Sequence, residues 1–327
     1  LTAHGWGWWV GFNVAVLLML AADLGLFHRR SHEIRFKEAL FWSILWTVVA
    51  LAFNLGLWGG WFGGYEPGDR NQAALEFLTG YLIERSLSFD NLFVFAVIFT
   101  YFAVAPLYHH RVLFYGILGA LIFRAIFIFG GLWLIEKFEW MIYVFGVFLI
   151  YTGIKLAVSK EKEIQPEKNP VLKLIRRVLP VTEGYVGGRF VARVKGRIYA
   201  TPLLMVVVFL EMTDIMFALD SIPAIIAVTR DSFIVYTSNV CAILGLRALY
   251  FVLAAFMRMF HYLSYGLAVL LVFIGAKMVI EHVGHFHLHT GISLGVVAAI
   301  LTVAVVTSLL WPPKSAAETP PLSSSDF

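Results

Sequence analysis

Charge is what this chain has least of. Only 14% of its 327 residues are Asp, Glu, Lys or Arg, against about a quarter in a soluble domain. So few charges cannot clothe a water-facing surface, which excludes an ordinary soluble globular protein and makes lipid the solvent. Cysteine is nearly missing as well. Cys241 is the one thiol, so an intramolecular disulfide is excluded; set in an apolar run, it reads as a small packing residue. No His-Glu-x-x-His and no Gly-x-Ser-x-Gly occurs, and no phosphate-cradling Gly-rich loop ending in Gly-Lys-Ser/Thr. The expected protein is therefore not an enzyme of those kinds, and it does not itself burn ATP. Nucleic acid is not an expected partner; the lipid bilayer is.

What is abundant is hydrophobic length. Apolar residues make up 60% of the chain and mean hydropathy is +0.81. A helix needs about 20 apolar residues to cross a bilayer. Nine segments qualify: 5–27, 38–58, 74–102, 111–135, 139–158, 201–228, 233–257, 262–281 and 290–311. They do not alternate in polarity, which argues against a membrane β-barrel. The first has no basic leader and is followed by His28-Arg29-Arg30, so it reads as a transmembrane helix rather than a cleaved signal. The fold class expected is all-α, a polytopic helical membrane protein of about nine transmembrane helices.

Basic residues orient the spans. They gather after helix 1 (Arg29, Arg30, Arg35, Lys37), after helix 3 (Arg111), after helix 7 (Arg258) and in the connection 159–200, where ten Lys and Arg face four Glu. These loops share one side, taken as cytoplasmic. The N-terminus is then outside the cytoplasmic membrane and the C-terminus inside. Within the connection, Val171 to Leu179 is apolar and basic, fit for the inner leaflet or for an ordinary cytoplasmic helix. The Pro- and Ser-rich residues 312–327 read as disordered.

Helices 3–5 and 6–8 look like two copies of one unit. Glu84 precedes Asp90-Asn91 by six residues, as Asp214 precedes Asp220-Ser221. Arg124 in Gly119–Phe127 matches Arg247 in Ala242–Tyr250, and Lys155 in Phe148–Lys155 matches Lys277 in Leu270–Lys277. Each unit has three helices, an odd number, so the copies have opposite topology, a common plan for secondary transporters with a site near the midplane. The expected organisation is an N-terminal two-helix segment (1–73), a first repeat (74–158), the basic loop (159–200), a second repeat (201–282), a last transmembrane helix (283–311) and the tail.

Charges inside a membrane need a partner or a function. The candidate metal ligands are Glu84, Asp90, Asn91, Glu211, Asp214, Asp220 and Ser221, with Arg124, Lys155, Arg247 and Lys277 as charge partners; Asp23 sits nearer the cytoplasmic end of helix 1. Asp214 and Asp220 are six apart, about 240° around an ideal helix. Pro223 is the expected helix break that would let them converge. Oxygen ligands suit Mg, Ca or Mn rather than Cu or Zn. Met212 and Met216 read as packing. Crowded carboxylates also hold protons, so a metal could exchange for them. The competing reading is a set of buried ion pairs that fix helix registry. Glu281, His282, His285, His287 and His289 form a further cluster before helix 9, either a metal-collecting loop or an incidental one.

The segments Gly80–Val94 and Phe209–Ala224, followed by Leu244–Tyr250, resemble the signature of the TerC family of membrane proteins. The resemblance spans about residues 5 to 311 and is closest to the Alx-like branch. It implies manganese export, with Glu84, Asp90, Glu211, Asp214 and Asp220 handling the ion; tellurite effects, from which the family takes its name, are expected to be indirect, since carboxylates repel an oxyanion. The expected function is a secondary exporter of Mn²⁺, with protons as the coupling ion. Ca²⁺ is the alternative ion. A membrane scaffold that binds metal for exported enzymes or stress complexes, without net transport, is the alternative function.

Overall fold

The computed structural model describes residues 5–27, 36–158, 180–182, 184–194, 197–254, 263–284 and 289–310, without the side chains of residues 23–27, 90, 93, 254, 263 and 264. The segment 171–179, Arg258, His285, His287 and the tail 312–327 lie outside the described residues.

Ten helices are described: α1 (Trp6–Phe27), α2 (Phe36–Trp58), α3 (Arg70–Tyr101), α4 (Pro106–Lys137), α5 (Met141–Val158), α6 (Pro202–Ile226), α7 (Ser232–Leu244), α8 (Leu246–Ala254), α9 (Leu263–Gly284) and α10 (Thr290–Leu310). Together they overlap all nine predicted segments. By length and apolarity alone, α2, α4, α5, α6, α9 and α10 qualify as spans, and a seventh is added if α7 and α8 are one bent span. α3 falls short because of its charge. It carries Arg70, Glu76, Glu84, Arg85 and Asp90, while α1, Trp6–Phe27, is 22 residues long.

The helices are apolar on the outside, and the few buried charged residues sit inside a mostly apolar core. On α4, Ile122 and Ile126 are 57% and 60% exposed while Arg124, between them, is 1% exposed. Such a surface suits hydrocarbon, and it directs the charged residues into the bundle. Two short strands depart from an all-helical chain: β1 (Val191–Val194) pairs antiparallel with β2 (Arg197–Ala200), in register Val191 to Ala200. This hairpin lies in the basic connection and is tied to the α3–α4 corner. Tyr185 Oη donates to the Phe102 carbonyl at 2.6 Å, and the Arg111 guanidinium stacks over Phe190 at 5.2 Å.

The central helices pair crosswise. α5 packs along α9, α4 along α6, and α3 along α7. At the α5–α9 crossing, a Cβ on Gly275 would stand 2.6 Å from the Gly146 carbonyl oxygen, and one on Gly153 would stand 2.7 Å from that of Ala268. In the alignment of the two units Gly153 matches Gly275, which pairs Gly146 with Ala268. The two contacts are related by the residue matching that the sequence leads one to expect. Small residues allow this backbone approach, the usual basis of helix association in lipid. Gly275→Val is expected to destabilise the protein by about 1–3 kcal/mol, read by thermal unfolding in detergent. Gly130→Ala, whose Cβ meets nothing within 4 Å, is expected to be neutral or slightly stabilising.

The helix break falls elsewhere than expected. α6 runs unbroken through Pro223 to Ile226. Proline removes one backbone donor, and here less than a turn of helix follows it, closed by Ala227 N–H donating to the Pro223 carbonyl at 2.9 Å. The bend lies instead at Gly245, where α7 and α8 meet at 43°. Arg85 of α3 donates to the Ala242 carbonyl at 3.2 Å, satisfying a last-turn acceptor of α7. Its guanidinium lies against Gly245, where a larger residue would collide with it.

Candidate functional site

Four helices converge on one arginine. α3 contributes Glu84, α4 Arg124, α6 Asp214 and Ser221, and α7 Asn239. Glu84 and Asn239 are 0% exposed, and Asp214 is 3% exposed. Arg124 Nε donates to Asp214 Oδ2 at 3.2 Å and Nη2 donates to Oδ1 at 3.1 Å, a two-pronged pair. Nη1 is hydrogen-bonded and ion-paired to Glu84 Oε1 and lies 3.4 Å from Ser221 Oγ. Asn239 Nδ2 donates to Glu84 Oε2 at 2.9 Å. Because that carboxylate only accepts, the amide nitrogen must face it. This leaves Asn239 Oδ1 a buried acceptor without a donor among the described residues.

α7 is positioned from its first turn. Asp231 caps it, accepting from Phe233 N at 2.8 Å and Ile234 N at 3.2 Å, while Tyr65 Oη donates to its other oxygen at 2.9 Å. Asp231→Ala is expected to lower stability by about 0.5–2 kcal/mol, measured as a fall in melting temperature.

The remaining predicted residues spread around this centre. Glu211, one turn before Asp214, lays its carboxylate against Gly119 of α4, and its Oε2 is buried without a donor among the described residues. Asp220 turns away from Asp214 and faces α5, where the Thr152 hydroxyl bonds to it and Lys155 is the nearby cation. α6 is continuous here, so the six-residue spacing turns the two acids to different sides. Asn91 is buried on α3; the Asp90 side chain lies outside the described residues. Lys277 pairs with Glu281 at 3.8 Å and faces Glu76. Arg247 is buried and, with Asp214, closes an apolar crevice lined by Phe95, Leu113, Ile117, Leu210 and Leu246. His282 packs edge-on against Tyr143. Among the described residues no three His, Cys, Asp or Glu side chains stand together in a metal-ligating group. The cation at the meeting point of the acids is the guanidinium.

Sequence reasoning missed Asn239 and Glu76. Asn239 had a signal: Thr237-Ser238-Asn239 is a polar triplet inside an apolar helix. Glu76 is buried and bonded to Gln72 at 2.8 Å and to Thr229.

A bundle of apolar-surfaced helices around an acid–arginine–acid network defines a polytopic helical integral membrane protein. The chain belongs to the integral membrane protein TerC family, which matches residues 69–316. It is 51% identical over 304 residues to an uncharacterized membrane protein of Myxococcus xanthus, covering 93% of this chain and 92% of that one. It is 50% identical over 301 residues to a Salmonella typhi protein named "Putative membrane-bound redox modulator Alx", covering 91% and 92%. The protein of that name from Escherichia coli strain K12 is 47% identical over 301 residues, again covering 91% and 92%. No solved structure matches the chain.

Proposed function

We propose that this protein is a secondary transporter that exports a divalent metal ion, Mn²⁺ first among them, in exchange for protons. One observation carries the reading: Glu84 and Asp214, which occupy the same position in the two sequence repeats, meet at one buried cation between α3 and α6. Repeat-matched acids converging at membrane depth are what an inverted-repeat transporter needs at its midplane. The repeat-matched contacts of α5 and α9 support the same two-unit plan. The donors are oxygen atoms, the class preferred by Mn²⁺, Ca²⁺ and Mg²⁺. With Glu84 and Asp214 ionised, two negative charges face one positive charge, so the trio keeps one net negative charge to attract a cation. Orientation follows the basic loops, with the connection 159–200 cytoplasmic.

Two other readings have a specific basis. Buried ion pairs can serve registry alone, which would leave a metal-binding or partner-recruiting scaffold without flux. The relatives' name speaks of redox modulation. This chain has the single buried Cys241, so dithiol exchange within the chain is closed to it, and a redox effect would arise indirectly, for instance through metal supply.

The test is ion flux into proteoliposomes with Mn²⁺, Ca²⁺, Mg²⁺ and Zn²⁺ in turn and a pH dye inside. Mn²⁺ movement accompanied by opposite proton movement is expected. Folded protein that moves none of the four ions would rule out transport and favour the scaffold.

A further inference from the structure

The geometry points to Arg124 as a tethered cation that holds the transported ion's place and must withdraw before a divalent ion binds; this rests on the transport reading above. Three oxygen-bearing residues predicted as ligands, Glu84, Asp214 and Ser221, all turn toward one guanidinium. Metal and arginine therefore compete for the same oxygens. Both cannot be accommodated, because a guanidinium bonded to both carboxylates occupies the space between them.

Withdrawal has a receiver. Glu211 lies one turn before Asp214 on the same face of α6, and its carboxylate packs against Gly119. Gly119 is five residues before Arg124 on α4, about 7.5 Å along the axis. Helical side chains lean toward the N-terminus of their own helix, and Arg124 already bonds Asp214, one turn from Glu211 on α6. Glu211 Oε2 is buried and has no donor among the described residues, an acceptor that an arriving guanidinium would satisfy. Glu84 would stay oriented during the exchange, because Asn239 holds its other oxygen at 2.9 Å. Glu211 is then a positioning residue that acts through Arg124, rather than a ligand of the ion.

The test is Mn²⁺ binding to the purified full chain by equilibrium titration. Arg124→Gln is expected to bind Mn²⁺ at least about tenfold more tightly than wild type, because a competing charge at close range has been removed. A registry role alone gives no gain of affinity. Arg124→Lys, a point charge that cannot bridge two carboxylates as a planar fork does, is expected to bind about threefold more tightly, and it decides the matter if Arg124→Gln does not fold. Glu211→Gln is expected to weaken binding about tenfold in the wild-type background and to have no effect in the Arg124→Gln background. Unchanged or weaker Mn²⁺ binding in folded Arg124 variants would overturn the tethered-cation role while leaving transport standing. A weakening by Glu211→Gln that persists without Arg124 would make Glu211 a ligand and overturn the handover. Wild-type protein that neither binds nor moves Mn²⁺ would remove the transport reading, and this inference with it.

Discussion

Arg124→Gln is expected to lower the unfolding free energy of the metal-free protein by about 3–5 kcal/mol. The substitution leaves Glu84 and Asp214 buried with no cation between them. Two like charges in a low dielectric repel each other, and neither can reach water. Glu84→Gln should cost far less, about 1 kcal/mol. Its amide oxygen still accepts from Arg124, and one carboxylate then balances one guanidinium. The double variant Glu84→Gln with Arg124→Gln is expected to be more stable than Arg124→Gln alone, since one of the repelling charges has gone. Thermal or denaturant unfolding in a fixed detergent reads all three. If the three variants lose equal amounts, the network contributes by packing and not by charge. Mn²⁺ should restore part of the loss in Arg124→Gln, by about 2.7 kcal/mol at a hundredfold excess over its Kd.

Transport should respond in the opposite order. Glu84→Gln and Asp214→Asn are each expected to reduce Mn²⁺ flux about a hundredfold, because each removes a full charge from a site of low dielectric while leaving the fold nearly intact. Asp220→Asn should lose less, on the order of tenfold or under, because Asp220 faces Thr152 and Lys155 on α5 and not the Glu84–Asp214 centre. Proteoliposome flux, normalised to folded protein, checks the ranking. Equal losses at Asp214 and Asp220 would mean that the ion visits both, in a conformation where α6 bends.

Much of this arrangement was legible in the chain. Apolar length fixed by the bilayer's thickness marks the spans with no knowledge of their packing. The scarcity of charge made each intramembrane acid and base conspicuous, so Glu84, Asp214 and Arg124 stood out before any contact was seen. The shared six-residue spacing singled out both Glu84 and Asp214, and the fold brings the two to one guanidinium. The reading of Pro223 as a break point did not match the fold. Proline removes the bond to the Leu219 carbonyl in the turn before it, and α6 continues across that gap to Ile226. The bend at Gly245 had no comparable signal, because it depends on Arg85 arriving from another helix to satisfy the Ala242 carbonyl.

By itself, then, the sequence determined the solvent, the helices and the inventory of buried charge, because hydropathy and periodicity act locally along the chain. Only the tertiary structure decided which charges meet. Asp214 and Asp220 lie on the same helix and differ by six residues, yet one faces Arg124 and the other Lys155, since an unbroken helix turns them to different neighbours. Likewise, whether a guanidinium or a metal sits among the acids depends on distances between α3, α4, α6 and α7. In a low-dielectric interior those distances set the energy, and no one-dimensional spacing contains them.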